Sequence, residues 1–446
     1  MKSKIILYAI LFITLFPALS HAEVTIFSQD DWKVGLGGFI EFDSFYDTTR
    51  SFVETVGSGA VAKKGTYNGD NGRTQFSMRN TRLSFNVQAP EVDGWKTRGY
   101  LETDFLGYDP NPNSGNVGST QNSEAANQTN PTLRIRHAYI AADRGAFQLL
   151  VGQTWSLFGW QPVYVLSSIS VNPVTGSSYQ RTPRIGGLQT LQLSDTNSLQ
   201  VGASIERPTQ KDGKIPNLVV AARWLDNGRK SGFTGPNSDI KALPMSFGLS
   251  GTYRNFTPGS NGGTTANGSS LSAFALAANA LVPILTSSDG KDVSNTLTAS
   301  GEFTAGRGYG DEFPSWSGGQ AQAFTGAAPS ATANTNLDTG IGGYNQAGNF
   351  DLIKLRTWNA QLQYHVDGKT FFTAGYGQLY SSNISDYAPA AASGIYDRVQ
   401  AKFVNVGHDF TSHVRLALEF DQFNTHYVDG STNFDNRYML ASYFRF

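Results

Sequence analysis

The sequence predicts an all-β fold: a 16-stranded antiparallel transmembrane β-barrel with an inward-folded constriction loop. Three observations point there. Stretches of about ten residues that alternate apolar and polar recur between turn residues, in a chain of 446 residues with 48 glycines, 12% aromatic and only 15% charged residues. Strands with one lipid face and one water face read this way. The links between the stretches form a short set and a long set that alternate along the chain. The last stretch, NFDNRYMLASYFRF, sets Tyr438, Leu440, Phe444 and Phe446 on one face and Arg437 and Arg445 on the other, a period of two that ends on an aromatic residue.

In chain order, the first segment is MKSKIILYAILFITLFPALSHA. It has two lysines, an apolar run from Ile5 to Leu19 interrupted by Pro17, and small residues at Ser20 and Ala22. This is a secretory signal pattern, too short and interrupted for an anchor, so residues 1–22 are expected to be removed and 23–446 to form one barrel domain. Losing Lys2 and Lys4 makes the mature chain slightly more acidic than its formal net charge of −1. No basic footprint for nucleic acid is present. Cysteine is absent, which excludes thiol chemistry and a disulfide framework.

Strands are expected near 32–46, 74–89, 95–106, 132–142, 146–153, 183–193, 198–207, 217–225, 242–255, 270–283, 295–306, 352–366, 369–380, 395–409, 413–424 and 434–446. Closure follows from the solvent: an open sheet edge in lipid leaves N–H and C=O groups with no partner. Short links fall at 90–94, 143–145, 194–197, 367–368 and 410–412, and longer ones at 51–73, 107–131, 154–182, 208–216, 256–269, 307–351, 381–394 and 425–433. Short periplasmic turns alternating with long external loops have this order. The link 226–241 breaks it: it belongs to the short set and is not short. An even strand count returns both ends to the periplasmic side, where the last strand can pair with the first. The glycine-rich stretches GSNGGTTANGSS and 318–348 read as external loops.

The interior of such a barrel is a water-filled channel. In TLRIRHAYI, from Thr132 to Ile140, alternation turns Arg134 and Arg136 inward and Leu133, Ile135, His137 and Tyr139 toward lipid. Two guanidinium groups about 6.6 Å apart along a strand suit water, not a packed core. In NTRLSFNVQ, Arg82 turns inward, and in WKTRGYLETDF so do Lys96, Arg98, Tyr100, Glu102 and Asp104. One wall is therefore expected to be basic, partly offset by Glu102 and Asp104. Arg398, Lys402, Arg415 and Arg437 are expected to add to it, and Glu41, Asp43, Glu419 and Asp421 to oppose it. The bland reading is a set of solvated lumen charges; the functional one is a ladder that steers anions.

The run NTRLSF, GYLETDF, RIRHAYI and LLVGQTWSLFG, in that order, resembles the outer-membrane porin superfamily, and most the DcaP-like branch, which takes up dicarboxylates and related organic anions. The match is close over about a quarter of the chain, from the second expected strand to the fifth. The resemblance implies a homotrimer and a loop after the fifth strand, here 154–182, that folds into the lumen as the constriction. It also implies recognition of the terminal Phe446 by the barrel assembly machinery, and an outer membrane of lipid and lipopolysaccharide around the barrel. Two features depart from the wider family. The loop TWSLFGWQPVYVLSSISVNPVTGSSYQRT holds no Asp or Glu, where general cation-preferring porins carry acidic loops. Only about ten residues separate Ala22 from the first expected strand, where some DcaP-like members have a coiled-coil extension. An acid-free loop facing a basic wall implies a preference for small anionic solutes. Trp155, Phe158, Trp160 and Tyr164 either offer aromatic faces to a solute or pack the loop against the wall.

An enzyme is not indicated: the chain has no GxSxG elbow, HExxH or P-loop, and its histidines are scattered. No cofactor is required for passive diffusion, and no metal is assigned, although GYDPNPNSGN is rich in oxygen ligands. Two alternatives stay open. A sugar-selective pore is kept alive by Tyr100 and the loop tryptophans, and a non-conducting receptor or adhesin barrel would need a plugged lumen.

Overall fold

Alternating side chains take the form of long antiparallel strands in the computed structural model, which describes residues 23–107, 131–161, 163–170, 175–208, 213–257, 270–319, 337–388 and 394–446. The expected signal segment 1–22, nearly all of GYDPNPNSGN and most of the two glycine-rich loops lie outside the described residues. The strands are β1 (Val24–Gln29), β2 (Trp32–Asp47), β3 (Arg73–Ser77), β4 (Arg82–Gln88), β5 (Lys96–Gly107), β6 (Thr132–Arg144), β7 (Phe147–Trp155), β8 (Arg181–Gln192), β9 (Asn197–Glu206) and β10 (Asn217–Phe233). They continue as β11 (Lys241–Phe256), β12 (Leu271–Leu285), β13 (Thr296–Arg307), β14 (Gly342–Tyr344), β15 (Phe350–Leu352), β16 (Lys354–His365), β17 (Thr370–Ser381), β18 (Tyr396–Asp409), β19 (Val414–Tyr427) and β20 (Thr432–Arg445).

Sixteen of these positions form the barrel. β3 and β4 both pair with β2 and are two halves of one strand, broken where the Thr81 N–H bonds back to the Met78 carbonyl at 3.1 Å. The stretch expected as one strand over 74–89 is therefore interrupted. β1 pairs with β2 outside the ring, and β14 and β15 pair only with each other, in the link between β13 and β16. The ring closes where β20 meets β2, from Phe39↔Arg445 to Asp47↔Arg437. There Gly38 and Phe446 exchange backbone hydrogen bonds of 3.0 and 3.1 Å. Every barrel strand thus has two neighbours, as a lipid environment requires.

Burial follows the period of two. On β16 the side chains of Leu355, Thr357, Asn359, Gln361, Gln363 and His365 are buried, whereas Trp358 and Leu362 are exposed. Large apolar side chains such as Leu249, Leu276 and Val404 stand exposed on the outside, where a lipid-facing band belongs. The apolar clusters lie inside instead, where Leu157, Phe158, Trp160 and Tyr164 meet Tyr309, Phe313 and Trp316. A second cluster joins Phe52, Val56, Val61 and Leu166 to Ala401, Phe403 and Phe423.

Two departures from the sequence reading have local causes. β10 runs to Phe233 instead of ending near 225, so the misfit link 226–241 is mostly a continued hairpin. In β6 the pairing with β5 slips between Glu102↔His137 and Thr103↔Ile135, leaving Arg136 as an extra residue. A bulge of this kind reverses which residues face inward beyond it. Leu133 and Ile135 do face outward, but His137 is buried and Ile140 takes the exposed face. The expectation that His137 and Tyr139 face lipid is therefore corrected: both belong with the inner ring of Tyr100.

Candidate functional site

The bulge in β6 does more than shift phase. It brings Arg134, Arg136 and His137 together against β5, so that three polar side chains of one strand reach two carboxylates. Arg134 grips Asp104 with two bonds, Nε at 2.9 Å and Nη2 at 2.6 Å. Arg136 donates Nε to Glu102 at 2.5 Å and Nη1 to Asp104 at 3.0 Å. Arg136, Glu102 and Asp104 are almost completely buried, and Arg134 is partly open. Shared bidentate geometry of this kind is what guanidinium offers and an ammonium does not. The wall is thus less basic than its arginine count, because these two are each matched by a carboxylate.

The remaining expected wall residues divide. Arg82 is buried beside this cluster, across the sheet from Asp104, donating Nη2 to Asn80 at 3.3 Å, with its guanidinium 5.1 Å from the Phe39 ring and no direct ion pair among the described residues. Lys96 and Arg98 lie toward the short-link end of β5, where Arg98 meets Asp143 at 3.1 Å and Lys96 approaches Glu91 at 3.8 Å. They do not join the cluster. Lys402 is exposed between the buried Ala401 and Phe403, so it faces outward and not into the lumen. Arg415 and Arg437 are inside and buried.

Aromatic rings continue the cluster along the inner wall. Tyr139 and Tyr100 lie 5.5 Å apart by ring centroid, Tyr100 and His137 6.1 Å, His137 and Trp155 5.4 Å, and Trp155 and Tyr179 4.4 Å. Arg181 stacks on both ends of this last pair, 4.9 Å from the Trp155 ring and 5.7 Å from that of Tyr179. Tyr179, in the link before β8, receives a 3.5 Å contact from Arg136. Burial pushes its phenol up, but the guanidinium groups of Arg136, Arg181 and Arg82 outweigh that and bring it down to about 8.

Phe158, Trp160 and Tyr164 have a different role from Trp155. Trp160 donates Nε1 to the Ala222 carbonyl at 3.0 Å, Tyr164 bonds Ser246 at 2.9 Å, and Phe158 packs edge-on against Tyr309 at 5.9 Å. They fasten the segment to the wall, and only Trp155 stands beside the arginine cluster.

The acid-free segment turns its donors on the carboxylates of the wall. Glu419 accepts from the Ser168 hydroxyl at 2.7 Å and from the Ile169 and Ser170 N–H groups at 2.8 and 3.0 Å, and Asp421 accepts from the Ser170 hydroxyl at 2.9 Å. Glu302 accepts from the N–H and the hydroxyl of Ser178, both at 2.8 Å, and Glu206 from the Ser156 hydroxyl at 3.2 Å. An Asp or Glu in the segment would meet these carboxylates at close range, and like charges repel. The lack of acid in 154–182 is therefore a condition for its docking. Glu41, Asp43, Glu419 and Asp421 do sit on the wall of β2 and β19, but Glu419 and Asp421 are covered by the segment.

Three residues were not singled out from sequence. Arg181 lies one residue before the end of the acid-free segment, and nearby Tyr179 acquires meaning only from its contact with Arg136 of β6. Arg223 faces inward on β10, donates to Gln200 at 3.1 Å and lies 5.2 Å from the Trp160 ring. Its signal was visible: the period of two in VVAARWL places Arg223 opposite in phase to the outward Val220.

No family model matches the chain, and no curated protein matches it. Solved structures do. The outer membrane channel DcaP of Acinetobacter baumannii superposes with a TM-score of 0.64 at 18% identity, over 95% of this chain and 100% of that one. The fold is that of an outer-membrane porin. An anion-selective porin from Comamonas acidovorans shares it with a TM-score of 0.53 at 9% identity, over 93% of this chain and 100% of that one. A loop-deletion form of OmpT, an outer membrane protein of Vibrio cholerae, does so with a TM-score of 0.50 at 10% identity, over 94% and 100%. At such identities the likeness is one of fold. The arginine cluster and its ring series, gathered on the inner wall of this fold, form the candidate site.

Proposed function

We propose that the chain is an outer-membrane porin through which small hydrophilic solutes diffuse passively, with a preference for anions such as organic acids. One observation carries this reading. Arg82, Arg181 and Arg223 line the inner wall without an ion pair among the described residues, while the carboxylates Glu206, Glu302, Glu419 and Asp421 are turned onto the donors of 154–182. Guanidinium groups without carboxylate partners attract anions, and bound carboxylates offer little to cations. The segment 154–182 acts as the constriction, with Trp155, Tyr179 and Arg181 beside the arginine cluster. Arg82, Arg134, Arg136, Glu102 and Asp104 set the field, and Lys96 and Arg98 act at the mouth. The leader 1–22 directs export and is removed, Phe446 serves the assembly machinery, and three copies assemble in the lipid and lipopolysaccharide of the outer membrane.

A second reading rests on the rings. The series from Tyr139 to Tyr179 brings tilted and edge-on aromatic rings together beside hydrogen-bonding groups, an arrangement that suits a sugar. The two are separated in planar bilayers. A chloride-leaning zero-current potential under a potassium chloride gradient supports the first. Conductance without ion preference, blocked by added oligosaccharide, supports the second. No conductance contradicts both and leaves a receptor barrel.

A further inference from the structure

The link 226–241 is too long for a turn that only reverses the chain, and its surroundings say why. β10 stays paired with β9 down to Asp226↔Asn197, and β11 leaves β12 below Ser246↔Leu281. Beyond those points Lys230–Phe233 and residues 241–244 form a ladder with each other, touched at its base by the Ser287 N–H, which donates to the Lys230 carbonyl at 2.7 Å. The two strands have left the barrel wall as a ribbon, bent where the pairing skips residues 227–229.

The ribbon turns inward. Ser231 bonds Thr298 at 2.6 Å, the Gly232 N–H donates to Thr296 at 2.9 Å, and the Thr234 N–H donates to Gln363 at 2.7 Å. All three partners are buried on the inner face of the barrel. Its tip reaches further. Arg415 donates Nη1 to the carbonyls of Gly235 and Pro236 at 3.1 and 3.0 Å, and Arg445 donates Nη1 to that of Ser238 at 3.2 Å. β20, which carries Arg445, lies nearly opposite β10 in the ring. Gln363 and Arg415 stand near strand ends that bear short links, and Thr296 and Arg445 lie at the same end of the barrel, Thr296 after the link 286–295 and Arg445 at the end of the last strand; this is the end read as periplasmic. Ser167 of the segment 154–182 donates to the Thr234 carbonyl at 2.8 Å, so the ribbon and that segment touch.

The arginines explain how such a tip stays put. A turn in the middle of a lumen exposes carbonyls that the sheet cannot satisfy. Arg415, itself held by Asp409 through bonds of 2.6 and 2.9 Å, supplies charged donors to two of them. Arg445 supplies a third.

We propose that the ribbon Lys230–Pro244 is a second constriction, fixed across the periplasmic mouth, which limits the size of solute passing that end. This rests on the reading that the barrel conducts. The test is polymer exclusion from each side of a planar bilayer, using neutral polyethylene glycols of graded size. Polymers that lower the wild-type conductance from the extracellular side are expected to have no effect from the periplasmic side. Replacing Thr234–Ile240 with an Asn-Gly turn is expected to admit them from the periplasmic side and to leave the extracellular result unchanged. Equal entry from both sides of the wild type overturns the proposal, whereas a wild type that passes no current contradicts the channel reading instead. A second variant does not disturb the hairpin: in a chain without cysteine, Ser238→Cys gives one thiol at the tip. A bulky thiol reagent from the periplasmic side is expected to reduce conductance at least twofold, and unchanged conductance after complete labelling overturns the proposal.

Discussion

At the scale of the residue, Arg136 joins two functions. As the bulge residue of β6 it bonds both Glu102 and Asp104, and it reaches toward Tyr179. Replacing it with methionine leaves two buried carboxylates short of a partner, a loss of about 3–5 kcal/mol for a broken buried pair. Arg136→Met is therefore expected to unfold at clearly lower temperature in detergent, followed by strand circular dichroism; an unchanged transition contradicts the pairing. Tyr179 gives a pH signature. Its phenol is neutral below about 8 and negative above it, so raising the pH from 7 to 9 adds negative charge beside Arg136 and Arg181. Anion preference is expected to fall over that interval in the wild type and to stay flat in Tyr179→Phe. The inward set Arg82, Arg134 and Arg136 was legible from alternation. His137 and Tyr139 were not, because a bulge inserts one residue and reverses the phase without altering composition, and only the pairing with Glu102 reveals it.

At the scale of the element, the described residues of 154–182 are held by the wall and show little regular structure between β7 and β8. Glu419 anchors its middle with three bonds from Ser168, Ile169 and Ser170, each to a charged acceptor and worth about 1.5–3 kcal/mol. Glu419→Ala is expected to give a larger and noisier single-channel conductance, with Glu419→Gln between it and the wild type; identical traces contradict a role for this segment as the constriction. The lack of Asp and Glu in 154–182 was plain in the sequence, but its cause was not. It depends on carboxylates that lie from 50 to about 250 residues away in the chain and come close only when the ring closes. The same holds for 226–241. Its excess length marked it as unlike the other short links, yet its destination is set by Gln363, Arg415 and Arg445, residues that sequence spacing does not connect to it.

At the scale of the whole molecule, sixteen strands were readable because lipid outside and water inside impose one period on every strand, and because closure demands an even set. The seam follows from that: the terminal Phe446 bonds Gly38, and Arg437 pairs with Asp47 across β20 and β2 at 2.7 and 2.9 Å. What the alternation did not convey is how charge is shared inside. Arg134 and Arg136 are matched by Asp104 and Glu102, whereas Arg82, Arg181 and Arg223 make no direct ion pair among the described residues, although Arg82 lies across the sheet from Asp104; these three are proposed to set the preference for anions. The most direct measurement is the zero-current potential under a potassium chloride gradient, for wild type and for Arg82→Gln/Arg181→Gln in the same bilayer. The expected result is a wild type that prefers chloride and a double variant that loses most of that preference while still conducting. A wild type that prefers potassium, or a double variant with an unchanged potential, contradicts the claim.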